Sequence, residues 1–109
     1  METTWIRIEL PGILHFKFME KVAEDFGTVQ AQNEALTMII KKYIENPIPI
    51  VDVKINTSKG YRVLSQEIPK PLKEKIDILF YKQLGTLKCL SIGIKAIIQL
   101  YVNDKINII

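Results

Sequence analysis

At 109 residues the chain is sized for one compact domain, because a chain of this length buries roughly two-thirds of its unfolded surface; two separately cored domains are not expected. An apolar share of 48% is ordinary for a globular fold, and a single cysteine, Cys89, excludes an intramolecular disulfide or a multi-cysteine zinc site. The net charge of +3 and a pI near 9.0 are compatible with a polyanionic partner.

In chain order, Trp5–Pro11 alternates, with Ile6, Ile8 and Leu10 on one face and Trp5, Arg7 and Glu9 on the other, the pattern of a half-buried strand. Pro11 has no backbone donor, so it ends strand pairing and suits the start of a helix. From Ile13 to Phe26, Leu14, Phe18, Val22 and Phe26 recur every fourth residue opposite Glu20, Lys21, Glu24 and Asp25. This predicts an amphipathic helix stopped by Gly27. Thr28 can cap the next helix, which presents Leu36, Ile39, Ile40 and Tyr43 on one face. Residues 47–60 hold Pro47 and Pro49, and Val51, Val53 and Ile55 alternate with Asp52 and Lys54, which leaves room for a short extra strand. A second strand ending at Pro69 leads to a helix with Leu72, Ile76, Phe80 and Leu84 on one side, then Gly85, Thr86 and a helix presenting Ile94, Ile97, Ile98 and Tyr101. The tail, Lys105–Ile109, alternates again, and its Ile106, Ile108 and Ile109 are expected to be an exposed apolar contact for self-association.

The chain says the same thing twice. A shift of 58 positions lays Glu9 on Glu67, Pro11 on Pro69, Leu14 on Leu72, Gly27 on Gly85, Thr28 on Thr86 and Tyr43 on Tyr101 without a gap. A repeated unit of this kind must pack against its copy to bury its apolar face. The expected organisation is therefore one unit over 1–46, a linker over 47–60 and a second unit with its tail over 61–109. A linker of about fourteen residues reaches about 45 Å, ample to fold one copy onto the other. The charge is uneven: 1–46 carries five bases against seven acids, 47–109 ten bases against five acids.

A strand closed by Leu10-Pro11, then helix, glycine, and a helix ending in Ile39-Ile40-x-x-Tyr43-Ile44, resembles the ribbon-helix-helix DNA-binding family of the methionine and Arc repressors. The resemblance covers both copies; tandem single-chain versions resemble small regulators of archaeal filamentous viruses. It implies a mainly α fold with a two-stranded antiparallel ribbon, a tandem ribbon-helix-helix pseudo-dimer of order β-α-α-linker-β-α-α, whose ribbon enters the major groove of double-stranded DNA. The implied base-reading positions are Trp5, Arg7 and Glu9 in the first copy and Val63, Ser65 and Glu67 in the second. Arg62 and Gln66 are the alternative there, should a one-residue slip exchange the faces. Arg7 suits guanine, whose O6 and N7 accept a bidentate guanidinium. Phosphate is implied at the start of the second helix of each copy, at Thr28, Val29, Thr86, Leu87 and Lys88, where free amides favour anions. Because glycine to the Ile-Ile pair is about two residues longer than the family pattern, that anchor can shift toward Asn33 and Ser91.

No phosphate-binding glycine loop, metal-ligand spacing or nucleophile-base-acid set stands in the sequence, so neither catalysis, a cofactor nor a small-molecule substrate is expected. Lys88, Lys95 and Gln99 interrupt the most apolar stretch too soon for a membrane span, and no leader segment is evident before the first strand. A cytoplasmic protein is expected, in a host cytoplasm if viral. His15, the lone histidine, reads as a surface residue, Cys89 as a packing residue. Phe16, Met19, Ile78 and Tyr81, off the main stripes, belong either to a wide buried face or to a contact between modules. The expected function is a sequence-specific transcriptional regulator, a repressor among the options, that self-associates on DNA. The alternative is an assembly module that keeps the fold without binding DNA.

Overall fold

A computed structural model describes residues 2–109 apart from Asn56, Ser58, Lys59 and Leu87. Strand β1 (Thr3–Pro11) runs into helix α1 (Gly12–Phe26); a 3-10 turn (Val29–Ala31) leads to α2 (Gln32–Glu45). Strand β2 (Tyr61–Pro69) is followed by α3 (Lys70–Leu84) and α4 (Cys89–Val102). The strands pair antiparallel along their whole length, from Thr3 opposite Pro69 to Pro11 opposite Tyr61. Arg7 faces Ser65, its own equivalent in the repeat, so the ribbon is centred on this pair and each position on one strand has its counterpart on the other. The ends obey the same symmetry. The Gly12 amide donates to the Gly60 carbonyl at 2.8 Å, and the equivalent Lys70 amide donates to Glu2 at 3.0 Å.

Alternation decides what the ribbon buries. Ile6, Ile8, Leu10, Leu64 and Ile68 turn onto the helices, where Leu14, Phe18 and Val22 of α1 and Ile76 and Phe80 of α3 join them in one core. Each first helix ends where Gly27 (φ 77°) and Gly85 (φ 64°) take the left-handed conformation that a side chain resists. Helices pack across the copies: α4 lies against α1, and α2 against α3. α4 also touches α2, α3 and β1, so it is walled in on most sides and buries Ile94, Ala96, Ile97, Ile98, Leu100 and Tyr101. Its apolar composition is thereby explained by packing. Among the described residues no single helix is long and apolar enough to cross a membrane.

Two tyrosines tie the copies together through equivalent side chains. The Tyr101 hydroxyl on α4 donates to Asp25 Oδ2 on α1 at 2.6 Å. Tyr43 on α2 donates to the Ile48 carbonyl at 2.8 Å and accepts from Gln83 on α3, the repeat equivalent of Asp25. Lys21 completes the first cluster, 2.6 Å from Asp104, 4.0 Å from Asp25 and 5.1 Å from the centre of the Tyr101 ring. Burial, then the Asp25 carboxylate, pushes the Tyr101 hydroxyl up from 10.0. Burial pushes Tyr43 up too, and the hydrogen bond to Asp104 raises Lys21. A folded-state pKa above the unfolded one stabilises below the unfolded value, and that contribution is lost as the pH climbs through the folded pKa. Stability against denaturant should therefore be nearly constant from about pH 8 to about pH 10 and fall above it. In Tyr101→Phe the alkaline loss should be visibly smaller; an unchanged slope would remove Tyr101 from the cause.

Several expectations need correction. Helix dominates and the order β-α-α-β-α-α is the one the repeat predicts, but the expected class, two ribbon-helix-helix copies that close the fold by themselves, needs correction. The strands run nine residues each and form a two-stranded layer against the helices, and segments beyond the repeated elements supply core side chains. Ile50 of the linker is buried, and so are Ile106 and Ile108 of the tail, which was expected to be exposed. Asp104 (φ 60°) reverses the chain after α4, the Lys105 amide donates to the Leu100 carbonyl at 2.8 Å, and the tail runs beside Ile48 and the end of α2. Only Ile109, 71% exposed, keeps the expected position. Residues 47–55 form no strand. Pro47 and Pro49 have no amide to donate, the Ile50 amide is taken by Gln83 Oε1 at 2.9 Å, and the chain turns at Val51-Asp52.

Candidate nucleic-acid interface

The helices leave one face of the ribbon bare. On it the pairing sets Trp5 opposite Glu67, Arg7 opposite Ser65 and Glu9 opposite Val63, and all six side chains are exposed. The structure thus brings together the six positions read from the strands. No bulge interrupts the register, so no slip exchanges the faces of β2. Gln66 points to the helix side, half-buried, where its Nε2 donates to Gln32 Oε1 at 3.1 Å; a polar side chain there needs such a partner. It pins β2 to the first residue of α2 and does not stand on the bare face. Arg62 is exposed, but at the ribbon's end, beside His15. The bare face also extends further than the sequence suggested. Tyr61 and Thr3, in phase with Val63 and Trp5, continue it to the ends of the strands. The signal was the same period-two alternation carried one step outward.

Electrostatically the face is close to neutral. Arg7 is its single base, set between two glutamates, and among the described residues neither Arg7, Glu9 nor Glu67 has an ion-pair partner. Glu9 and Glu67 therefore keep their acceptor oxygens unengaged, as Arg7 keeps its donors.

The helix starts lie downstream of the segments picked from sequence. Thr28 Oγ1 accepts from the Gln30 amide at 3.1 Å and caps the 3-10 turn, with Val29 exposed beside it, but α2 begins only at Gln32. Thr86 Oγ1 accepts from the Lys88 amide at 3.4 Å, and α4 begins at Cys89, Lys88 being its exposed cap. Leu87 lies outside the described residues. These turns delay both helices, so the first-turn amides belong to the neighbourhood of Asn33 and Ser91. The two starts differ: α2 carries Glu34 in its first turn, which repels an anion, whereas α4 has no acid there and has Lys88 next to it.

The remaining candidates fall into place by burial. Cys89 is buried, its Sγ 3.9 Å from the Asp77 carbonyl. Phe16, Ile78 and Tyr81 are exposed, which dismisses the wide buried face, while Met19 is partly buried against the core. Among the described residues no three of His, Cys, Asp and Glu stand together to hold a metal ion. Compared with protein-family models, curated proteins and solved structures, the chain matches none.

Proposed function

We propose that this chain, as a relative of the ribbon-helix-helix regulators, binds double-stranded DNA and regulates transcription with the bare ribbon face in the major groove. The observation that carries this reading is that face itself: two strands wide, backed by helices, and bearing unpaired polar groups at its centre. A two-stranded ribbon fits the major groove, where base edges are distinguishable. Arg7 at the centre pairs with guanine, and Glu9 and Glu67 accept from cytosine N4. A nearly neutral ribbon leaves the affinity for phosphate to lysines elsewhere, Lys88 at the start of α4 first among them. Action in a cytoplasm, a host's if the chain is viral, goes with this reading. So does self-association on DNA, for which exposed Ile78 and Tyr81 on α3 are now better placed than the tail.

Arg7→Ala should weaken binding to the best site by about 1–3 kcal/mol and relax preference at one or two base pairs. Lys88→Ala should weaken binding to all sequences alike and flatten the salt dependence. Sites selected from a random-DNA pool, titrated by mobility shift, supply the measurement. A uniform loss on Arg7→Ala would make it a phosphate contact. The second reading, an assembly module without DNA binding, is favoured by the two ribbon glutamates. Absence of any shift with mixed genomic fragments at low salt would select it.

A further inference from the structure

The two ends of the ribbon are equivalent in the repeat and opposite in chemistry. At each end the first helix of one copy meets the start of the other copy's strand, closed by the matching hydrogen bonds from the Gly12 and Lys70 amides. At the Lys70 end charge is neutralised locally: Lys70 pairs with Glu2 at 3.6 Å and Lys73 with Asp77 at 2.8 Å, with Pro71 and Glu74 alongside. At the Gly12 end these pairs are gone. Ile13, His15, Phe16 and Met19 stand where the second copy has Pro71, Lys73, Glu74 and Asp77, and Tyr61 and Arg62 where the first has Thr3 and Thr4. These six side chains line an open cleft of about 830 Å³.

Three features of the cleft point the same way. Phe16 and Tyr61 are 65% and 62% exposed, two aromatic surfaces left to water at an energetic cost unless something covers them. Arg62 has no acidic partner among the described residues, and no acid lines the cleft. His15 is partly buried there, and burial together with the Arg62 charge lowers its pKa, which favours the neutral ring, able to accept or donate a hydrogen bond. A guanidinium presents a planar fork of donors suited to a carboxylate or phosphate.

We propose that this cleft binds a small ligand built of a planar ring and one anionic group, the anion held by Arg62 and the ring laid against Phe16 and Tyr61. An aromatic carboxylate and a nucleoside monophosphate share this chemistry. Nothing in the order of residues announces the cleft, because it joins α1 of the first copy to the start of β2 in the second. The proposal is independent of the DNA reading, since binding is measured without DNA.

The test is calorimetric titration of the full chain with benzoate, phenyl phosphate, adenosine monophosphate and inorganic phosphate. At least one ring-bearing anion should bind at one site and inorganic phosphate about tenfold more weakly or worse, the ring supplying the difference. Arg62→Gln and Phe16→Ser should each weaken that binding by about tenfold with the melting temperature unchanged, both side chains being exposed. Lys70→Gln, at the other end, should bind like the unaltered chain. Preference for benzoate or phenyl phosphate over the nucleotide assigns the source as an aromatic acid, and the reverse assigns a nucleotide. The proposal is overturned if none of the ring-bearing anions saturates the chain by roughly 10 mM. It is equally overturned if inorganic phosphate binds as well as they do, or if Arg62→Gln and Phe16→Ser leave the affinity unchanged.

Discussion

Deleting Lys105–Ile109 should cost about 3–6 kcal/mol of folding stability, because Ile106 and Ile108 are buried and each buried isoleucine is worth about 1.5–3 kcal/mol. A domain of this size holds about 5–15 kcal/mol in all, so the truncated chain loses a large part of its stability and melts well below the intact one. The loss is not confined to the two side chains. Without the tail, the Leu100 carbonyl loses the Lys105 amide, and Ile48 and the end of α2 lose their cover. Chemical denaturation of the truncated chain measures the effect. Replacing Ile109 alone, 71% exposed, should change almost nothing. If the truncated chain is as stable as the whole, the tail is not part of the core.

The second large effect concerns Phe80 and Gly93. Phe80 is fully buried, and a Cβ built on Gly93 would overlap its ring. The equivalent positions in the first copy are Val22 and Ala35, both fully buried. One copy thus sets a large side chain against none, and the other carries a smaller side chain and a methyl at the equivalent positions, a volume exchange suited to a close-packed interior. Gly93→Ala alone should destabilise by about 1–3 kcal/mol, overpacking outweighing the roughly 1 kcal/mol by which alanine is the better helix former. Phe80→Ala alone should cost about 3–5 kcal/mol through the cavity it opens. In the Phe80→Ala background, Gly93→Ala should change sign and stabilise, since its methyl then meets empty space. A double-mutant cycle by thermal unfolding decides. Simple additivity would mean that the ring and Gly93 do not limit one another.

Patterns that depend on near neighbours were readable from the residues alone. Alternation put Ile6, Ile8 and Leu10 inside and Trp5, Arg7 and Glu9 outside, the four-residue recurrence of Leu14, Phe18 and Val22 marked a helix face, and Gly27 and Gly85 ended helices by conformation. Alternation in the tail was equally plain, yet it does not say which surface the apolar side meets. Ile106 and Ile108 found their own molecule where a neighbour was expected. The same limit applied to Val51–Ile55: Gln83, 33 residues along the chain, takes the Ile50 amide, and the chain then turns at Val51-Asp52, where the Val53 amide donates to the Ile50 carbonyl. The onset of α2 and α4 was displaced by turns capped at Thr28 and Thr86, a matter of a few residues that helical periodicity does not resolve. On the candidate interface, all six strand positions were legible because a strand has only two faces. The cleft at the ribbon's end was not, because it joins residues from both copies.

The pairing of Arg7 with Ser65 across 58 residues also sets a schedule for biosynthesis. When β1 leaves the ribosome its partner strand is not yet made; at about 5–20 residues per second the wait is roughly 3–12 seconds. During that interval Ile6, Ile8 and Leu10 lie along an edge with open backbone donors and acceptors, the arrangement most prone to mispairing. Two nascent chains on one message could then pair first strand with first strand. The glutamates and Arg7 that alternate with the apolar residues are the groups positioned to oppose such contacts. Non-local pairing of this kind also slows refolding, so the free chain should return from denaturant more slowly than helical proteins of its size.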